Sequence, residues 1–214
     1  MMVDDKYVWY LGYGSNVSKD RFNCYILGGT PIGSKKGLSG CRDKTLPKES
    51  KPTFINHELY FSQSAITWNN GGVAFIKKEV NNSIKTLSMM YLITKQQLED
   101  VAKQESGSKS LLTIDFEELL KNGYIIFRKN TKYGKLLYIE KDVNGIPIFT
   151  ITSENDFDEV SKPDVSYLYI IADGLRKNHG MTDKEILEYF SDKGGISNEY
   201  SKEELLKEIE MHRQ

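Results

Sequence analysis

Cysteine and histidine are scarce in this chain, and the scarcity narrows the chemistry it can run. Two cysteines, Cys24 and Cys41, among 214 residues imply no disulfide framework. Three histidines, His57, His179 and His212, lie too far apart in sequence to build a zinc-type cluster. No calcium-loop pattern occurs, so neither a metal nor another cofactor is expected. Charge of one sign is also missing: the formal net charge is -1. The balance favours neither nucleic acid nor an anionic membrane surface. No apolar run approaches the roughly 20 residues needed to span a bilayer. The opening stretch MMVDDKYVW lacks the charged-then-apolar order of a signal peptide, and a cytoplasmic location is the expectation.

What the chain does contain reads as a folded domain. Hydrophobic residues make up 39% and charged residues 28%, with 13 tyrosines and 9 phenylalanines, enough to bury a sizeable core. Strand-like runs fall at 7–13, 58–63, 72–79, 85–93, 123–128, 135–141 and 146–152. Asn144-Gly145 between the last two predicts a hairpin, and Pro147 predicts an edge position or an irregular start for the strand it opens. Residues 29–57, rich in Gly, Pro, Lys and Ser, read as a long loop excursion. Ser18 is placed to cap a short helix over 19–27. Thr94 with Gln97, Thr182 with Glu185 and Ser201 with Glu204 form three capping-box patterns, and a further helix is expected at 115–121. PDVSYLYIIADGLRKNHG has a helical pattern with Pro163 and Asp164 at its start and Gly180 at its end. Strands dominate the first 150 residues and helices the rest, which predicts an α+β domain on a closed or strongly curled sheet. The domain is expected to occupy 1–193, with 194–214 a helical extension that has few apolar residues.

Two local features suggest a site. In VWYLGYGSNVSKDRF, residues 8–22, a strand runs into Gly12-Tyr13-Gly14-Ser15-Asn16 just ahead of a helix start. The stretch reads either as a tight turn or as a ring of backbone N–H groups facing a ligand. In TKQQLEDVAKQESG, Leu98, Val101 and Ala102 form an apolar stripe at i, i+3 and i+4, and the i+7 position is Glu105. The glutamate either reaches solvent at the rim or continues the inward face. Inward, burial and the helix C-terminus would both push its pKa up, toward that of a usable proton acceptor.

Four segments in order carry a resemblance: YLGYGSN at 10–16, SAITWNNGGVAFI at 64–76, MMYLITKQQLEDVAKQES at 89–106 and SYLYIIADGLRKNHG at 166–180. Together they resemble the gamma-glutamylcyclotransferase-like family. The resemblance implies a small mixed β-barrel flanked by helices. It implies an enzyme that cleaves a gamma-glutamyl amide: the substrate's own α-amine attacks the γ-carbonyl, giving 5-oxoproline and a free amine. Glu105 falls on the family's catalytic glutamate and would serve as general acid/base. Tyr13, Gly14, Ser15, Asn16 and Tyr167 would bind the substrate, with the backbone N–H groups of 14–16 receiving its carboxylate or oxyanion. Trp68, Gly71 and Gly72 either line the pocket or make a turn, and the turn is the preferred reading. The chain departs from the family pattern in its long basic 29–57 segment, its added C-terminal helix and Ser106 where glycine is common.

Two rival readings need other residues. A cysteine hydrolase would pair His57 with Cys24, in an apolar context, or with Cys41, in a basic stretch that would lower its pKa. A binding module of the same fold would hold a gamma-glutamyl or amino-carboxylate ligand without turnover, and would have no use for a desolvated Glu105. Lys35, Lys36, Arg42 and Lys44 give the 29–57 segment its basic character, read as a solvated loop rather than a nucleic-acid surface. The expected partner is a small-molecule gamma-glutamyl substrate, with no nucleic acid and no membrane. The sequence sets no oligomeric state.

Overall fold

The computed structural model describes residues 5–32, 34 and 36–211; Lys35 and His212 lie outside them. Among the described residues eight strands and six α-helices follow one another, all but β2 in the order the sequence patterns predict: β1 (Tyr7–Gly12), α1 (Lys19–Leu27), β2 (Ser50–Ile55), β3 (His57–Ala65), β4 (Gly71–Val80), β5 (Thr86–Thr94), α2 (Lys95–Ser106), α3 (Phe116–Asn122), β6 (Tyr124–Ile126), β7 (Lys135–Lys141), β8 (Pro147–Thr152), α4 (Val165–His179), α5 (Asp183–Ser191) and α6 (Lys202–Met211). The fold is α+β and its main sheet is mixed. The strand order is β2-β5-β1-β8-β7-β6, with β1 antiparallel to β5 and parallel to β8. β3 and β4 pair as a separate two-stranded ladder, so the described strands form two sheets rather than one continuous ring.

Local chemistry accounts for most of these boundaries. The Ser18 hydroxyl accepts from Arg21 N–H at the start of α1. Thr94 and Gln97 exchange side-chain and backbone bonds at the start of α2, as do Thr182 and Glu185 at α5 and Ser201 and Glu204 at α6. Gly180 ends α4 in the left-handed region, satisfying carbonyls of the last turn. The β7–β8 hairpin closes on Asp142, whose carboxylate accepts from the N–H groups of Asn144 and Ile146.

Two expectations need correction. Pro147 does open its strand, but β8 is not an edge: it lies between β1 and β7. The proline is tolerated because pairing with β1 begins one residue later, at Ile148. The 29–57 segment is also not loop throughout, since residues 50–55 form β2 against β5. β2 is an edge strand with Lys51 and Pro52 in it, so tertiary pairing, not propensity, makes it a strand.

The core spans both halves of the chain. Trp9, Phe22, Phe61, Phe75, Tyr91 and Phe149 are fully buried, with Phe22 stacked on Tyr91. α6 contributes too: Leu205 and Ile209 are buried, α6 packs on α4 and α5, and Arg176 Nη2 donates to Ile209 O at 2.8 Å. Ile209→Ala is therefore expected to cost about 2–4 kcal/mol by denaturant unfolding, as a core truncation does and a surface one does not.

Candidate active site

At the exit of β1 the chain passes Tyr13 and makes a single 3-10 turn, Gly14–Val17, before α1. Gly14 has φ +58, and a Cβ there would lie 2.6 Å from Ala74 Cβ and 3.2 Å from Tyr167 OH. Only glycine lets this turn sit against β4 and α4 together. Gly14→Ala combines a left-handed conformation with a clash against packed neighbours, and is expected to lower stability by about 2 kcal/mol or more in thermal unfolding. The seven-residue spacing of Tyr167 and Gly174 has the same origin. It places both on one face of α4, where a Cβ on Gly174 would meet Ser18 N at 2.7 Å.

The turn, α1, α2 and α4 enclose a cavity of about 500 Å³, within the range of small-molecule sites. Tyr13, Ser15, Asn16, Glu105 and Tyr167 all line it, so five of the six residues singled out in the sequence meet in one place. Gly14, the sixth, does not line the cavity and packs against Ala74 and Tyr167.

Glu105 enters the cavity from the last turn of α2. Leu98, Val101 and Ala102 are fully buried, and Glu105 continues their stripe into the cavity, so it does not merely reach solvent at the rim. Its Oε1 accepts from Asn16 Nδ2 at 2.7 Å, and the same amide donates to Tyr10 OH at 2.9 Å. Burial raises the pKa of Glu105; the Arg21 charge and hydrogen bonds from Asn16 and Tyr25 pull it down without cancelling that effect. A raised carboxyl pKa stabilises the fold below the unfolded value of about 4.3, and that stability is lost as pH rises through the folded value. Glu105→Gln is thus expected to be more stable than wild type near neutrality, the difference closing below about pH 4. Thermal unfolding across pH measures it.

The neighbouring phenols are buried and stay protonated. Burial pushes the pKa values of Tyr10, Tyr13, Tyr25, Tyr133 and Tyr167 upward. All five have partners: Tyr13 donates to Ile151 O at 3.0 Å, Tyr133 donates to Ala74 O at 2.9 Å, Tyr167 OH accepts from Ala74 N–H at 3.3 Å, Tyr10 OH accepts from Asn16 Nδ2, and Tyr25 donates to Glu105. Of the three backbone amides expected to face a ligand, that of Asn16 is used within the turn, donating to Tyr13 O at 3.3 Å. The Gly14 and Ser15 amides lie in the opening turn, where no intrahelical acceptor exists.

Several polar atoms at the site have no protein partner. Asn16 Oδ1 and Arg21 Nε and Nη1 are buried without one. Arg21 stacks near Trp68 (5.3 Å to the ring centroid) and Tyr25 (5.8 Å), and among the described residues it forms no ion pair with Glu105 within 4.0 Å. The cavity therefore presents donors at Arg21 and acceptors at Asn16 and Glu105, with space between them. Sequence reasoning missed Arg21, Tyr25 and Tyr133. It read Trp68 as part of a turn, yet Trp68 lines the cavity, packed on Tyr167 with ring centroids 4.9 Å apart. Gly71 and Gly72 neither line the cavity nor make the turn: they open β4, paired with Ala65 and Ser64, and pack against Asp164 and Ser161.

The cysteine alternative fails on geometry. Cys24 and Cys41 do not line the cavity. The Cys41 thiol, expected to be lowered by its basic neighbours, is instead pushed up to about 12 by burial and then by Asp100. His57 Nδ1 is engaged with Lys77 O at 2.8 Å. Among the described residues no cluster of His, Cys, Asp and Glu fits a metal ion, and no helix is long and apolar enough to cross a membrane.

The architecture is that of a known class. A solved gamma-glutamyl cyclotransferase superposes with a TM-score of 0.52 at 16% identity, over 94% of this chain and 99% of that one. An uncharacterized protein from Homo sapiens does so with a TM-score of 0.50 at 17% identity, over 94% and 99%. The chain has the gamma-glutamyl cyclotransferase-like fold. No protein-family model matches it. In sequence it is similar to Histone deacetylase 5 of Arabidopsis thaliana, 37% identical over 157 residues, which is 68% of this chain. The chain spans about a quarter of that relative, 23% of its length.

Proposed function

We propose that the protein is a gamma-glutamyl cyclotransferase: it releases an amine from a gamma-glutamyl amide by letting the substrate's α-amine attack its own γ-carbonyl. The observation that carries this reading is the set of unpartnered groups around Glu105. An α-amino acid head offers an ammonium and a carboxylate. Arg21 Nε and Nη1 would receive the carboxylate, helped by the Gly14 and Ser15 amides. Asn16 Oδ1 and Glu105 would receive the ammonium.

The chemistry follows from that placement. Glu105 takes a proton from the ammonium, and the neutral nitrogen forms a bond to the γ-carbon. As the bond from that carbon to the leaving nitrogen breaks, Glu105 returns that proton to the leaving nitrogen and takes the second surplus proton of the ring nitrogen, which leaves with the released amine or passes to water. The products are 5-oxoproline and the free amine. The nucleophile is within the substrate, so the protein supplies orientation and a proton carrier, and orientation alone contributes up to roughly 7–11 kcal/mol in favourable cases. The Tyr167 hydroxyl, which accepts from Ala74 N–H, keeps a proton that would meet charge developing on the carbonyl oxygen.

The test is release of 5-oxoproline from a panel of gamma-glutamyl dipeptides, glutathione, alkylamines and diamines, with Glu105→Gln run alongside. Release by wild type that is lost in the variant supports the reading. Calorimetric binding of panel members with no release by wild type would instead identify a binding module.

A further inference from the structure

The last carbonyls of α1 are met from elsewhere in the chain. Ile26 O accepts from Cys41 N–H at 2.9 Å, and Leu27 O from Lys44 Nζ at 2.7 Å. Tyr25 O accepts from Gln104 Nε2 at 3.0 Å. A helix end must find such partners, and here residues 39–45 and α2 supply them. The same bonds fasten α1, which carries Arg21 and Tyr25, to the helix that carries Glu105. Arg42 doubles the fastening, since its N–H and its Nε both donate to the Asp100 carboxylate of α2 at 2.9 Å.

These contacts converge on Gln104. Its Nε2 donates to Tyr25 O and, at 3.2 Å, to Asp100 O. Its Oε1 accepts from Gly40 N–H at 3.1 Å and from Ser39 Oγ at 3.4 Å. A primary amide has two N–H bonds and two lone pairs, so all four are used. A flipped amide would set its oxygen against two carbonyls and its nitrogen against the Gly40 N–H. Gln104 lines the cavity, yet it has no hydrogen-bonding capacity left for a ligand. What it grips is Tyr25, whose hydroxyl donates to Glu105 and whose ring centroid lies 5.8 Å from Arg21 Cζ.

We infer that Gln104 is a positioning residue: by fixing the backbone of Tyr25, it fixes the hydrogen bond that Tyr25 gives to Glu105. This rests on the cyclotransferase reading only for what the carboxylate then does. Glu105 is faced by Arg21 and Tyr25 from α1, Tyr10 and Tyr13 from β1 and its exit, Tyr133 from the β6–β7 connection and Tyr167 from α4. Lys36 and Lys132 line the same cavity. The Tyr25 bond favours the ionised carboxyl, as do the Arg21 charge and the Asn16 bond. Loosening Tyr25 therefore raises the pH at which Glu105 ionises.

The test is a carbon-13 NMR titration of the Glu105 carboxyl, assigned by its loss in Glu105→Gln. Wild type, Gln104→Met, Tyr25→Phe and the double variant are compared. Each single variant is expected to move the midpoint to higher pH, and the double variant no further than Tyr25→Phe alone. In Gln104→Met, kcat on the acid limb should fall by about three- to tenfold, with the plateau less affected. Should the methionine variant fail to fold, Gln104→Asn decides in its place, because it keeps the amide and loses one methylene of reach. A folded Gln104 variant that is less stable but titrates as wild type overturns the inference. So does a Gln104→Met shift of the same size when Tyr25 is already phenylalanine. A shifted midpoint with no 5-oxoproline released from any gamma-glutamyl compound sinks the cyclotransferase reading and sustains the positioning role.

Discussion

Glu105→Gln is expected to lower kcat for 5-oxoproline release by about 10²- to 10⁴-fold with little change in KM. Glutamine is nearly isosteric, and its carbonyl oxygen can still accept from Asn16 Nδ2, the bond that now fixes Glu105 Oε1 at 2.7 Å. What it cannot do is take a proton from the ammonium or return one to the leaving nitrogen. The pH profile carries independent information. The base must be a carboxylate, so wild-type kcat should rise with pH through the Glu105 pKa, which burial has moved above the ordinary carboxylate range. The residual rate of the variant should lack that limb. If the variant keeps the wild-type rate and profile, Glu105 is not the proton carrier.

Arg21→Met is expected to raise KM by about 10²-fold, since it removes a buried cation that the substrate carboxylate would otherwise meet. Arg21 Nε and Nη1 already lie desolvated without protein partners, so the cost of stripping water from the guanidinium is met by folding before any ligand arrives. Such a preorganised donor acts mainly in binding, and kcat should fall less than kcat/KM. A second readout separates this role from simple packing. The Arg21 charge is the largest influence holding the Glu105 pKa down, so its removal should shift the acid limb of the kcat profile to higher pH. Arg21→Lys should restore that limb more fully than it restores KM, because an ammonium keeps the charge and loses the two-pronged geometry. A variant with unaltered KM and an unmoved limb would show that Arg21 merely fills space beside Trp68.

The order of elements was legible because hydrophobic period and capping chemistry agree almost everywhere. Thr94, Thr182 and Ser201 each announce a helix that forms where they say. Glu105 was legible for a related reason: a charged residue in phase with Leu98, Val101 and Ala102 breaks a pattern that burial otherwise enforces. Arg21 breaks none. An arginine in the first turn of α1, flanked by Lys19 and Asp20, looks like any solvated helix start, and only the approach of Trp68 and Tyr25 from elsewhere in the chain encloses it. β2 was hidden in the same way, since nothing in Ser50-Lys51-Pro52 favours a strand until β5 supplies the partner. The aromatic wall of Tyr25, Trp68 and Tyr133 comes from three distant stretches, and no period along the sequence links them.

The contact of Gly174 with Ser18 joins the two ends of the chain at the candidate site. Arg176, two residues further along α4, ties in Asp183 and Ile209, and so the final two helices. The turn at Gly14–Val17 is thus an early part of the sequence held in shape by its last 50 residues. A polypeptide emerging from the ribosome would have Glu105 and the amide-bearing turn long before it had the helix that presses them into register. The pocket belongs to the finished fold, and competence to bind should arrive all at once, when α4 docks.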